Sequence, residues 1–135
     1  MKDCPFCNIV SGDIPSYKIR ENEEFEAILD ICPNREGQTL VIPKKHYESD
    51  LFLIDEPGFY ERYLQAGKAV VELLKKNLNV ERVALVVEGL MVNHVHLRLY
   101  PLYPNTYLSI DNGEKADDEQ LAKVQQLFTW KEKNN

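Results

Sequence analysis

Along Val92-Asn93-His94-Val95-His96-Leu97-Arg98-Leu99 apolar and polar side chains alternate. A period of two marks a strand with two different faces. The pattern predicts a strand over 91–99 with Val95, Leu97 and Leu99 toward a core and His94, His96 and Arg98 in a row on the opposite face. Residues 4–11 read as a short turn or helix. Strands follow near 16–21 and 25–30, separated by the polar Glu21-Asn22-Glu23-Glu24, and then an apolar strand, 39–42, which Gly37 opens and Pro43 stops. These three form an antiparallel meander.

Asp55-Glu56-Pro57 reads as a helix start. Behind it, Tyr60, Tyr63, Leu64, Gly67, Val70, Val71, Leu74 and Leu78 recur at helical spacing, predicting one long amphipathic helix with a core face; the two tyrosines belong to its packing. A strand over 82–87 joins the 91–99 strand at Glu88-Gly89. Beyond it, Tyr100-Pro101-Leu102-Tyr103-Pro104 leaves the sheet and Asp111-Asn112-Gly113 turns. Asp117-Asp118-Glu119 caps a last helix with Leu121, Val124, Leu127 and Phe128 inside, and 131–135 are expected to fray.

The pattern contains no repeat, linker or low-complexity stretch, so 135 residues are expected to form one domain able to bury a core. No apolar run approaches the length of a membrane span and no leader pattern opens the chain, so the expectation is a cytoplasmic protein without a membrane partner. A net charge of −6 argues against nucleic acid as a partner, because that contact needs a basic face. The pairs Lys44-Lys45 and Lys75-Lys76 read as solvated surface. A small anion can still be held locally.

Three cysteines, an odd number, do not suggest a disulfide framework. Cys4-x-x-Cys7 lacks the preceding strand of a redox pair, which leaves a metal site as the better reading. Cys32 reads as a small buried hydrophobe. His94 and His96 stand about 7 Å apart along an ideal strand, a usable spacing for a phosphate or a metal.

The stretch His94-Val95-His96-Leu97-Arg98-Leu99-Tyr100 resembles the motif of the histidine triad superfamily, with the third histidine replaced by Arg98. Cys4-Pro5-Phe6-Cys7-Asn8-Ile9, Gly12-Asp13-Ile14-Pro15, Leu29-Asp30-Ile31 and Gly37-Gln38-Thr39-Leu40-Val41-Ile42-Pro43-Lys44-Lys45-His46 look like that family's opening segments in the same order. The resemblance covers residues 4–103 and leaves 104–135 as a C-terminal extension. Where purine-phosphoramidase members carry Asn-x-Gly and Gly-Gln-Ser ahead of the triad, this chain has Val83 and Gly89-Leu90-Met91.

The resemblance implies an α+β fold, with an antiparallel sheet of about five strands, a long packed helix and a C-terminal helix, assembled as a homodimer. It implies a small-molecule nucleotide substrate attacked at its α-phosphorus by His96, giving a nucleotidyl-histidine that water or another acceptor resolves. Asp30 would bind the ribose hydroxyls, Ile31 the base, and Arg98 the phosphate as a fork that carries no transferable proton. Cys4, Cys7, His46 and His94 match the zinc ligands of the metal-binding branches, and a closed set of two thiolates and two imidazoles suits structural zinc. Two other functions fit the same residues: a nucleotide-binding protein with weak or lost catalysis, and a small zinc-stabilised interaction domain.

Overall fold

The computed structural model describes residues 3–128. Helix α1, Pro5–Ser11, leads into strands β1, Lys18–Glu21, β2, Phe25–Leu29, and β3, Thr39–Pro43. A single 3-10 turn, Leu51–Leu53, precedes the long helix α2, Phe59–Leu78, and then come β4, Val83–Val86, β5, Leu97–Pro101, and helix α3, Asp118–Gln126. The five strands make one antiparallel sheet in the order β1-β2-β3-β5-β4. This is the α+β architecture expected. Residues 131–135, expected to fray, lie outside the described residues.

Both faces of the sheet are covered, and each strand divides its side chains between them. Phe25, Ala27, Leu29, Val41, Leu97 and Leu99 meet Phe59, Tyr63, Val70 and Leu74 of α2 and Leu121, Val124 and Phe128 at the C-terminal helix. Ile28, Leu40 and Ile42 face the other way and pack beneath Cys4 and Phe6. A side chain of that size contributes about 1.5–3 kcal/mol when fully buried, so most of the apolar stabilisation lies on the α2 side. Gly67 lets α2 approach β5 closely, since a Cβ there would stand 3.1 Å from Leu97 Cδ1. Seven residues are too few for a helix to persist alone, so α1 depends on what it docks against.

Several expectations shift. The last strand runs from Leu97 to Pro101 and not over 91–99, so His94 and His96 precede it, while Tyr100 and Pro101, expected to leave the sheet, pair with Ala84 and Val83. Their segment is held from a different side, with Val95 N–H donating to Tyr47 O at 3.0 Å instead of joining the ladder. The alternation survives: Val95 lies in the main core while His94, His96 and Arg98 are all buried on the opposite face. The first strand is shorter than 16–21 and the fourth shorter than 82–87. Helix α2 starts at Phe59, because Gly58 is its cap and Asp55-Glu56-Pro57 forms the approach. Its buried positions are Phe59, Tyr63, Gly67, Val70 and Leu74; Tyr60 and Leu64 are exposed, a narrower stripe than the spacing suggested. At the C-terminal helix Phe128 is buried and Leu127 is exposed. Among the described residues no helix is long and apolar enough to cross a membrane.

Candidate functional site

Cys4 caps the N-terminus of α1, its Sγ accepting from Cys7 N–H at 3.4 Å, so the Cys-x-x-Cys spacing turns both sulfurs to one side. His46 follows β3 and His94 approaches β5, two neighbouring strands. Cys7 Sγ lies 3.3 Å from His46 Nδ1 and 3.5 Å from His94 Nδ1, and Cys4 Sγ lies 3.4 Å from His94 Nδ1. All four ligand atoms fall within 4.8 Å of one another. Tetrahedral zinc with ordinary Zn–S and Zn–N lengths sets adjacent S and N ligands about 3.6 Å apart, close to these three S–N separations.

The tautomers agree. His94 Nε2 stands 2.8 Å from Pro43 O. A carbonyl only accepts, so Nε2 carries the proton and the bare Nδ1 faces the sulfurs. Burial pushes the His94 imidazole down to about 4, keeping it neutral and ligand-competent at pH 7. Burial, followed by the Cys4 sulfur, raises the Cys7 thiol. A cation reverses that preference, since a coordinating thiol gives up its proton. All three cysteines are free.

His96 takes the opposite tautomer. Its Nδ1 is 2.8 Å from the carbonyl of His94, so Nδ1–H donates there and Nε2 keeps a free lone pair. Burial lowers its pKa below the usual imidazole value, and the Arg98 charge adds to this against the opposing bond to the His94 carbonyl. Phe6 sets its ring edge-on to both imidazoles, at 5.7 Å from His94 and 5.0 Å from His96. One aromatic residue of α1 thus touches both the metal-type cluster and the free imidazole.

A cleft of about 360 Å³ opens on this face. His96, Arg98, Asp30, Ile31 and Glu88 line it, with Phe6 in an otherwise largely apolar wall. Arg98, whose side chain is 6% exposed, donates through Nη1 to Ile110 O at 3.3 Å, lies 3.7 Å from Glu88 Oε1 and stacks over Tyr100 at 5.3 Å. Asp30 follows β2 directly; its Oδ1 accepts from Cys32 N–H at 2.9 Å and its Oδ2 from Gln38 Nε2 at 2.8 Å. The carboxylate is therefore oriented before any ligand arrives. Ile31, 46% exposed, offers an apolar surface at the rim.

All eight sequence-predicted site residues are brought together here, four in the metal-type cluster and four along the cleft. Cys32 departs from expectation: it is half-buried and lines the cleft. Four participants were missed. Gln38, fully buried, braces Asp30 and accepts from Asn34 N–H at 2.9 Å. Phe6 and Glu88 line the cleft, and the backbone at Ile110 covers Arg98. The signal for Gln38 was a polar residue at the head of an apolar strand; for Glu88 it was a charge beside a loop glycine. Ile110 acts through its carbonyl, which no side chain reveals. A second cleft, of about 450 Å³, lies between the β1–β2 hairpin and α2. None of the predicted site residues lines it.

A five-stranded antiparallel sheet with a long helix on one face and paired histidines and a cleft on the other defines a HIT-like α+β domain. A family model described as HIT domain matches residues 11–105, and the chain belongs to that family. It is 37% identical over 130 residues to an uncharacterized HIT-like protein of Methanocaldococcus jannaschii, covering 90% of this chain and 98% of that protein. It is 31% identical over 138 residues to an adenosine 5′-monophosphoramidase of Saccharomyces cerevisiae, covering 90% of this chain and 83% of the yeast enzyme. Among solved structures, a Zn-bound histidine triad family protein from Mycobacterium smegmatis superposes with a TM-score of 0.76 at 28% identity, covering 99% of each chain.

Proposed function

We propose that the protein is a nucleotide hydrolase or nucleotidyl transferase acting at the α-phosphate of a nucleotide or dinucleotide, with His96 as nucleophile and Arg98 in the third triad position. The observation that carries this reading is the His96 tautomer. A buried imidazole whose Nδ1–H is tied to a backbone carbonyl presents an unprotonated Nε2 to a cleft holding a guanidinium. The yeast relative, an adenosine 5′-monophosphoramidase, supports the same class of substrate.

In the first step Nε2 bonds phosphorus and the bond to the leaving group breaks, its electron pair departing with that group. The imidazole becomes a cation, and the His94 carbonyl on Nδ1–H stabilises it. Arg98 binds the phosphoryl oxygens, oriented Asp30 accepts from the ribose hydroxyls, and Ile31 covers the base. In the second step water or another acceptor displaces the nucleotide from His96.

Cys4, Cys7, His46 and His94 hold a structural zinc in this reading, which pins α1 and Phe6 beside His96; the Zn-bound neighbour from Mycobacterium smegmatis supports that choice of metal. Zinc there supplies a cross-link between α1 and the sheet and no open coordination site. The same reading takes the protein as a homodimer joined at the open sheet edge: β4 is an edge strand with Leu85 exposed, and exposed Leu64 lies on α2. The test is intact-mass detection of a nucleotidyl adduct after mixing the protein with a panel of adenosine and guanosine nucleotides. An adduct in the native protein that is absent in His96→Ala is expected. Nucleotide binding with neither adduct nor turnover would refute the enzyme reading in favour of a binding protein.

A further inference from the structure

Hydrolysis of a nucleotidyl-histidine consumes a water, which must lose a proton as its oxygen bonds phosphorus. His96 is the leaving group of that step. Arg98 has no lone pair to offer and does not deprotonate. Asp30 is committed in the same reading to the ribose hydroxyls, with its carboxylate oriented by Cys32 N–H and Gln38 Nε2. One further carboxylate lines the cleft, that of Glu88.

Glu88 is held from two sides. Its Oε2 accepts from Leu90 N–H at 3.1 Å, and its Oε1 stands 3.7 Å from Arg98 Nη1. The turn beneath it has little freedom, because Gly89 adopts φ +67 and a Cβ there would meet Ser49 Cβ at 2.5 Å. At 29% exposure, the carboxylate remains open to water. A phosphoryl group on Arg98 sits about 2.8 Å from the guanidinium, which brings Oε1 within about one water's breadth of it. Among the described residues Glu88 pairs with Arg98 and makes no hydrogen bond to His96, and in-line displacement from His96 requires the attacking water on the side of phosphorus opposite Nε2.

We propose that Glu88 is the general base of the second step, an inference that rests on the His96 reading above. Glu88 accepts a proton from water, the water oxygen bonds phosphorus, and the bond from phosphorus to Nε2 breaks with its electron pair returning to the imidazole. The nucleoside monophosphate leaves and Glu88 releases its proton to solvent.

The test follows adduct formation and clearance separately, using diadenosine and diguanosine tetraphosphate with the native protein, Glu88→Gln and Glu88→Asp. Glu88→Gln should form the adduct within about tenfold of the native rate and clear it at least about 10²-fold more slowly, the usual scale of general-base assistance. The adduct then accumulates in intact-mass spectra. Glu88→Asp should clear it at an intermediate rate. Fluoride attacks phosphorus without shedding a proton, so it should restore clearance in Glu88→Gln and yield a nucleoside phosphorofluoridate visible by fluorine NMR. Native-rate clearance by Glu88→Gln overturns the assignment. Slow clearance that fluoride cannot rescue also overturns it, because it points to a distorted site. If the native protein forms no adduct, the His96 reading falls and this inference with it, an outcome distinct from an adduct that clears normally without Glu88.

Discussion

Replacing Arg98 with methionine keeps a long side chain in a buried slot and removes only the guanidinium. The slot is 6% exposed, while Glu88, the carboxylate left behind, is 29% exposed and can be solvated, so the fold should tolerate the change. A hydrogen bond to a charged group contributes about 1.5–3 kcal/mol. Part of that strength is already in use, since Nη1 donates to Ile110 O at 3.3 Å and faces Glu88 at 3.7 Å, and a phosphate must share or displace those partners. A net loss of about 2 kcal/mol is expected, about 30-fold in Kd. The informative measurement is a cycle: calorimetric Kd values of AMP and of adenosine, each with the native protein and with Arg98→Met. AMP should weaken about 30-fold and adenosine by less than about threefold, because only AMP carries the group Arg98 holds. Equal weakening of both ligands, or none for AMP, would refute the placement of phosphate on Arg98.

The zinc reading predicts about one zinc per chain by elemental analysis, and Cys7→Ser or chelation should lower thermal stability by detaching α1; metal-free protein that melts as the native does would contradict this. His96→Ala should abolish adduct and turnover while leaving AMP affinity within a few-fold, since the lost interaction belongs to the transition state; retained turnover would exclude His96. The His96 pKa is held below 6.5, first by burial and then by Arg98, and Nε2 must be unprotonated to attack, so kcat/KM should rise with pH through a midpoint below 6.5. A midpoint above 6.5 would show that the site does not protect the neutral form. Substrates with anionic leaving groups should be cleaved about 10²–10⁴ times faster than alkylamine phosphoramidates, and Arg98→His should narrow the gap; equal native rates on both would mean that another group supplies a proton.

Much of this site was legible in the chain because its residues lie on short, strongly patterned segments. The alternation through residues 92–99 placed His94, His96 and Arg98 on one face, and that held even though the ladder begins only at Leu97. Alternation reports extended backbone and a buried face. It does not report which neighbour takes the backbone hydrogen bonds, and Tyr47 O takes that of Val95. The start of α2 was misplaced for a similar reason: Asp55-Glu56-Pro57 carries the chemistry of a helix start, yet Gly58 is the cap and Phe59 anchors the first turn in the core.

Local order therefore determined the sequence of elements, the Cys-x-x-Cys pair and the polar row, all of which depend on spacings of a few residues; the joining of His46 and His94 to that pair was implied only by the family resemblance. Tertiary structure decided which nitrogen His94 presents, because its partner is the distant Pro43 carbonyl, whereas His96 is fixed by the carbonyl two residues before it and ends in the opposite tautomer. It decided that Gln38 braces Asp30, that Phe6 touches both imidazoles, and that Glu88 and the Ile110 carbonyl meet Arg98 across 10 and 12 residues of chain. These contacts turn on angles and distances set by how α1, the sheet and the segment after β5 pack, and no periodicity in the chain encodes a direction between elements.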